Sequence, residues 1–203
     1  TVTVNTDNDG TGNCTTTAAL GTPTTADNCS VASVVAQVGG SDIDPVAFEF
    51  PLGDTTVTWI VTDGTGNTAN CTQTVTVADN EDPTITCPGT VTVNTDNDGT
   101  GNCTTTATLG TPTTADNCSV ASVVAQVGGS DIDTATYIFP LGDTTVTWIV
   151  TDGTGNTANC TQTVTVADNE DPTITCPGTV TVNTDNDGTG NCTTTAALGT
   201  PTT

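Results

Sequence analysis

Residues 77–88 read VADNEDPTITCP, and the same twelve residues return unchanged at 166–177. In front of the first copy lies CTQTVTV (71–77), and behind it lies CPGTVTV (87–93). Both flanks alternate valine with small polar residues, the period of a half-buried strand, and their β-branched side chains favour extended backbone. DNEDP between them is a break: Pro83 lacks an amide hydrogen and restricts the residue before it. The stretch therefore reads as a hinge between two copies of one small domain.

The copies can be traced through the whole chain. TVTVNTDNDG begins at residue 1, again at 90 and again at 179, a period of 89 residues. That is too long for a solenoid coil and suits a small domain. The expected division is a first repeat over 1–78, a complete repeat over 79–167 and the N-terminal part of a third over 168–203, as in a window of a longer array. The copies differ at Ala19 against Thr108, and where PVAFE (45–49) becomes TATYI (134–138). Variation confined to one patch predicts an exposed loop or edge there, with Phe50 and Phe139 turned inward.

Val57, Trp59 and Val61 fall on one face of TTVTWIVT (55–62), and DGTGN (63–67) separates this run from the next as a hairpin turn. Glycine or proline interrupts every longer run, and apolar spacing of three and four is missing, so no helix is expected. About seven short strands per 89 residues predict an all-β fold of tandem immunoglobulin-like β-sandwich domains. Three aromatic residues per copy make a thin core, of the kind that needs covalent staples.

Composition removes several functions. The chain has no Lys, Arg or His and a formal charge of −23. It has no cations to meet nucleic-acid phosphates or an anionic membrane, so no nucleic-acid partner and no membrane insertion are expected in this segment. Without His or Lys, no familiar catalytic triad or Schiff base can form, and the expectation is a protein that is not an enzyme. Such acidity serves solubility in a saline setting, or the binding of cations.

Nine cysteines in small domains point to an oxidising, extracellular compartment. Cys87 and Cys160 each open the pattern CxxTVTV, so parallel first and last strands in register would set those two sulfurs opposite each other, within disulfide reach. That predicts Cys87–Cys160, and it leaves Cys14 with Cys29 and Cys103 with Cys118. The rival is pairing across the hinge, Cys71 with Cys87. Asn13, Asn28 and Asn70 match the N-glycosylation sequon, each overlapping a cysteine.

Together, DPTITCP (82–88), PTTADNC (112–118), FPLGDTTVTW (139–148) and TDGTGNTANC (151–160) resemble the hyalin-repeat (HYR) domain. The blocks stand in the family's order and span nearly the whole repeat. The resemblance implies an immunoglobulin-like fold, an extracellular setting and an adhesive role, as in long bacterial surface adhesins and filaments. The pair Cys103 and Cys118 is similar to that of the four-cysteine bacterial variety.

Two acidic segments are candidates for calcium. Asn5, Asp7 and Asp9 with Gly10 have the spacing that opens an EF-hand loop, but its twelfth position is Thr16 rather than Glu. Asn94, Asp96 and Asp98 repeat it. The plain alternative is a turn whose side chains cap their own backbone. The hinge residues Asp79, Asn80, Glu81 and Asp82, and their counterparts Asp168, Asn169, Glu170 and Asp171, broadly resemble the calcium-binding linkers of cadherins. Asp63 and Asp152, in the hairpin turns, are expected to reach the hinge from a domain end. Oxygen donors without nitrogen or sulfur suit calcium, and the alternative is a solvated acidic linker.

The expected function is a structural, adhesive stalk or filament. Its partners would be neighbouring repeats of the same chain and other copies in a fibre, with the surface or glycan ligand unread. The competing expectation is a Thr-rich surface-binding module for ice or glycans, against which the long period argues. Reduction should lower the melting temperature sharply, because disulfides supply what a thin core lacks. Calorimetry with and without reductant checks this.

Overall fold

Alternation of Thr with Val sends one row of side chains to each face of a strand, and the resulting sheets are the frame of the molecule. The computed structural model describes residues 1–6, 13–95, 102–184 and 194–202. In the first unit, β1 (Val2–Asn5), β3 (Val31–Val38), β4 (Ser41–Ile43), β6 (Gly53–Asp63) and β7 (Thr68–Ala78) form a sheet in the order β1-β7-β6-β3-β4. Facing it is a short ladder of β2 (Thr15–Thr17) and β5 (Glu49–Pro51).

The second unit repeats this plan. Its large sheet runs β13 (Ser130–Asp131), β12 (Val120–Val127), β15 (Gly142–Asp152), β16 (Thr157–Ala167) and β9 (Val91–Asn94). Two ladders cover it: β10 (Thr104–Thr106) with β14 (Ile138–Pro140), and β11 (Thr113–Ala115) with β8 (Thr84–Thr86). Each unit is thus an all-β, immunoglobulin-like sandwich with one broad layer and one layer of short ladders. No helix occurs among the described residues. In 168–184 and 194–202 the recorded pairing is a single bridge, Thr175 with Thr202.

The inward rows make two separate cores. Val57, Trp59, Val75 and Val77 pack with Ala18, Leu20 and Phe50 in the first, and Val146, Trp148, Val164 and Val166 with Ala107, Leu109 and Phe139 in the second. Each indole N–H must find a partner when buried. Trp59 donates to Gln73 Oε1 at 3.0 Å, and Trp148 to Gln162 Oε1 at 3.0 Å. The glutamine amides then cross the core to the opposite layer, Gln73 to the Leu20 carbonyl at 3.0 Å and Gln162 to the Leu109 carbonyl at 2.8 Å.

The first strand of each unit joins the last in parallel, Val2 opposite Val75 and Val91 opposite Val164. That register brings Cys87 to Cys160, which are bonded with Cα atoms 5.7 Å apart. On the chain-entropy account, closing a loop of this length is worth roughly 4.5 kcal/mol. Most of the variable patch lies on the surface, with Val46 80 % and Ile138 60 % exposed, while its Phe48 and Tyr137 pack against the cores and the neighbouring Phe50 and Phe139 are fully buried.

Strand length also fixes where the ends of a unit lie. β6 has 11 residues and pairs from Gly53 opposite Val77 to Thr62 opposite Thr68. At about 3.3 Å per residue, its two ends are roughly 35 Å apart. Phe139→Ala should therefore cost about 3–5 kcal/mol, while Ile138→Ala, one residue away, should stay within about 0.5 kcal/mol. Urea melts of the two variants check this; equal losses would mean that the patch is part of the core.

Candidate cation site at the joint

β7 ends at Ala78, whose carbonyl accepts from the Thr6 amide at 2.8 Å, and the chain passes directly into Asp79. Asp79 is 5 % exposed, an unusual place for a carboxylate in a link between domains. The second unit meets it with two turns. Asp116 stands just before β12, its Oδ1 accepting from the amides of Cys118 (2.9 Å) and Ser119 (2.7 Å). Asp152 ends β15, and its Oδ1 accepts from the amides of Thr154 (2.9 Å), Gly155 (2.6 Å) and Asn156 (2.8 Å). One carboxylate oxygen from each of Asp79, Asp116 and Asp152 lies within 4.8 Å of the others.

Three carboxylates this close repel one another. A pair of unit charges at 4 Å costs about 1 kcal/mol in water and about 4 at an effective dielectric of 20. The chain holds no Lys, Arg or His to oppose them. Hydrogen bonds occupy some of the oxygens: Asp79 Oδ1 accepts from the Thr6 hydroxyl (3.3 Å), the Glu81 amide (3.2 Å) and Asn117 Nδ2 (3.4 Å). Asp79 Oδ2, Asp116 Oδ2 and Asn117 Oδ1 are buried and have no hydrogen-bond partner among the described residues. An unsatisfied buried acceptor costs about 1–3 kcal/mol, more when charged. All three atoms are hard oxygen donors that fit a calcium ion, which takes six to eight such ligands.

The turns are built for ionised carboxylates. Burial pushes the Asp152 carboxyl up, but the Asn156 side chain and the amides and hydroxyl around it outweigh burial and hold it below its ordinary value. Asp63, its counterpart in the first unit, is lowered to about 2, chiefly by the Asn67 side chain, with help from the Asn67 and Thr65 amides.

The expected site residues separate into several places. Asp79 and Asp152 converge. Asn80 is exposed and donates to Asn5 Oδ1 at 3.0 Å, Glu81 is half-buried and Asp82 is exposed. Asp63 does not reach the hinge of its own unit, because it ends β6 roughly 35 Å from the Gly53 end that adjoins Val77. The Asp of the following unit's hairpin meets the hinge instead. Asp168, Asn169, Glu170 and Asp171 are exposed, with Asn169 donating to Asn94 Oδ1 at 2.8 Å. Asp7, Asp9, Asp96 and Asp98 lie outside the described residues.

Asp116 and Asn117 were not among the expected ligands, since Asp-Asn before a cysteine reads as a turn former. The turn is there, but it uses only Oδ1 of Asp116. The available signal was the parallel first strand, which puts the hinge of one unit beside the Asp-Asn-Cys turn of the next.

The same geometry corrects two disulfides. Cys14 bonds to Cys118 of the second unit, with Cα atoms 4.8 Å apart, rather than to Cys29, and Cys103 does not bond to Cys118. Cys14 follows β1 and lies at the hinge end, whereas Cys29 precedes β3, whose Val31 pairs with Asp63 at the far end. A whole sandwich separates them. Cys29, Cys71, Cys103 and Cys176 are free and exposed, so the rival Cys71–Cys87 bond is not formed either.

Carboxyls lowered by folding contribute stability that is full above their ordinary range and is lost as pH falls through the folded value. The melting temperature should therefore fall between pH 4 and pH 2, as the Asp63 and Asp152 turns take up protons. Asp63→Ala, already without its turn, should fall less over the same window; calorimetry along a pH series checks this.

Comparison with known proteins places the chain. Loose overlaps are found with fibronectin(III)-like modules of Clostridium thermocellum CbhA (16 % identity, 71 % of this chain and 83 % of that one, TM-score 0.32) and with Drosophila N-cadherin EC1-4 (14 %, 66 % and 40 %, TM-score 0.36). The chain thus spans less than half of that cadherin fragment, and overlaps of this quality carry no inference about what it binds. No curated protein matches it significantly. The model of the HYR domain matches twice, over residues 9–77 and 78–166, and the chain belongs to the HYR domain family as a tandem repeat.

Proposed function

We propose that the joint binds calcium, and that the bound ion and the Cys14–Cys118 bond hold successive units in line, so that the chain is a stiff segment of an extracellular adhesive stalk. The observation that carries this reading is the set of three buried oxygens without hydrogen-bond partners among the described residues, on Asp79, Asp116 and Asn117, within a cup of three carboxylates, one on the hinge that leaves β7 and two on turns of the second unit. Asp79, Asp116, Asp152 and Asn117 would hold the ion, which supplies the positive charge that the chain lacks. Membership of the HYR family supports the adhesive role. Two disulfides in a small-domain chain support an oxidising, extracellular setting.

The ion acts by differential binding. Only docked units present Asp79 together with Asp116 and Asp152, so calcium favours the docked state by as much as its affinity for that state exceeds its affinity for the separated one. Once the Cys14–Cys118 bond is removed, calcium alone should hold the joint.

Calorimetric titration with calcium should show one strong site. Asp116→Asn should weaken it on the order of tenfold or more, because one ligand charge is lost, whereas Asp82→Asn, on an exposed residue, should leave it unchanged. Absence of calcium uptake by the unsubstituted chain would end this reading. Small-angle scattering on Cys14→Ser should give a straight particle in calcium and a flexible one with chelator; the same maximum dimension in both would separate binding from stiffening.

A further inference from the structure

Residues 1–89 and 90–178 are identical except at Ala19 against Thr108 and at 45–49 against 134–138. These places lie apart in sequence, yet in the second unit they meet at one cleft. Its volume is about 490 Å³, and Thr106, Thr108, Gly110, Thr111, Thr134 and Ala135 line it with no charged side chain. That is the size of a site that holds a small ligand or a few residues of chain. Neutral drift would scatter over the surface; here the change is gathered where something can be held. The opening belongs to the unit and not to its place in the chain, because 17–22 and 45–46 of the first unit have the same pattern of burial as 106–111 and 134–135.

One wall of the cleft is an unfinished strand edge. β10 pairs with β14 only as far as Thr106, opposite Ile138. Beyond it the alternation of a strand continues, with Ala107 and Leu109 buried and Thr108 and Gly110 exposed. No strand lies across from them, because the chain before β14 curls into a turn in which the Asp133 carbonyl accepts from the amides of Thr136 (3.2 Å) and Tyr137 (2.9 Å). Residues 107–111 belong to no strand, and among the described residues none of their backbone groups bonds to another backbone group. The Leu109 carbonyl is taken by the Gln162 side chain. A bend at Gly110, with φ 79°, ends the edge. Free amides and carbonyls along a strand edge are a template for a further strand.

We propose that this cleft docks an extended, basic peptide segment of another protein, which lies along 107–109 in the line of β14 and pairs with it through the backbone. Side chains opposite Ala107 and Leu109 then point into the cleft and are small and apolar, and those between them face solvent. Charge names the class of partner. The chain carries −23 and no Lys, Arg or His, so a second copy of it is repelled. Asp131 and Asp133, both exposed, lead into Thr134 at the cleft and favour lysine or arginine on the incoming segment. The backbone edge is common to both units, whereas the residues that differ between them set which sequence fits. Glu49 adds a carboxylate beside the first where the second has Ile138. The cleft is separate from the joint, and its use does not depend on calcium there.

The test offers the full chain a library of random heptapeptides displayed on phage. The enriched peptides should be rich in small and β-branched residues and carry lysine or arginine. Their synthetic forms should slow hydrogen exchange at amides within 107–111, or at the equivalent 18–22. Read at 107–111, Thr108→Asp should tighten binding and Thr108→Lys weaken it, each by about fivefold, the effect of one unit charge at about 4 Å in water. Ala135→Trp, which fills the cleft from an exposed position, should remove the protection at 107–111 and leave that at 18–22. Enrichment of no peptide, enrichment of uncharged or acidic peptides alone, or binding that ignores both Thr108 variants would overturn the proposal. So would protection confined to other amides, or a concentration-dependent dimer that Ala135→Trp abolishes, which would make the occupant a second copy.

Discussion

Repulsion among buried carboxylates at the joint is the constraint on which the arrangement of the two units depends. Asp79 stands on the hinge that leaves β7, and Asp116 and Asp152 on turns of the second unit. Nothing in the chain carries a positive side chain that could neutralise them. A joint of this kind is stable only if the charges are held against their tendency to separate. Covalent closure by Cys14–Cys118 and hydrogen bonding by the turns do part of this, and the partnerless oxygens show what those devices leave undone.

The division of donors across the joint makes it more than a linker. Asp63 and Asp27 sit in the same turns of the first unit as Asp152 and Asp116 do in the second, but Asp27 is exposed and Asp63 half-buried. Identical local sequence is thus more deeply buried where the hinge residue Asp79 lies against it. Local hydrogen bonding preforms each turn, as the lowered pKa values of Asp63 and Asp152 attest, so little ordering remains when two units meet.

Much of the fold was legible in the sequence because alternation is a local property. The Val57 and Trp59 row, the DGTGN hairpin and the parallel register that brings Cys87 to Cys160 follow from periodicity and from repetition of one short pattern. The site was half legible. Asp79 and Asp152 stood out as acidic residues at breaks between strands. Asp116 and Asn117 did not, since each repeat was read as closed on itself, and a turn former and a ligand look alike when one carboxylate oxygen serves each role. The Cys14 pairing was misread for the same reason: with Cys87 given to Cys160, pairing inside one repeat left Cys14 to Cys29, whereas the strands between carry the chain to opposite ends of a sandwich.

The bond from Cys14 to Cys118 also decides how the molecule answers to tension. Its partners are 104 residues apart in sequence, and a pull applied at the two ends of the chain travels through the sulfurs and bypasses everything between them. At about 3.5 Å per residue, roughly 360 Å of chain is withheld from extension. The β6–β7 hairpin of the first unit and the hinge itself lie wholly within that sheltered loop. Force can therefore load this chain while β2 to β7 of the first sandwich stay within the closed loop, and only β1, which precedes Cys14, can be peeled from that unit.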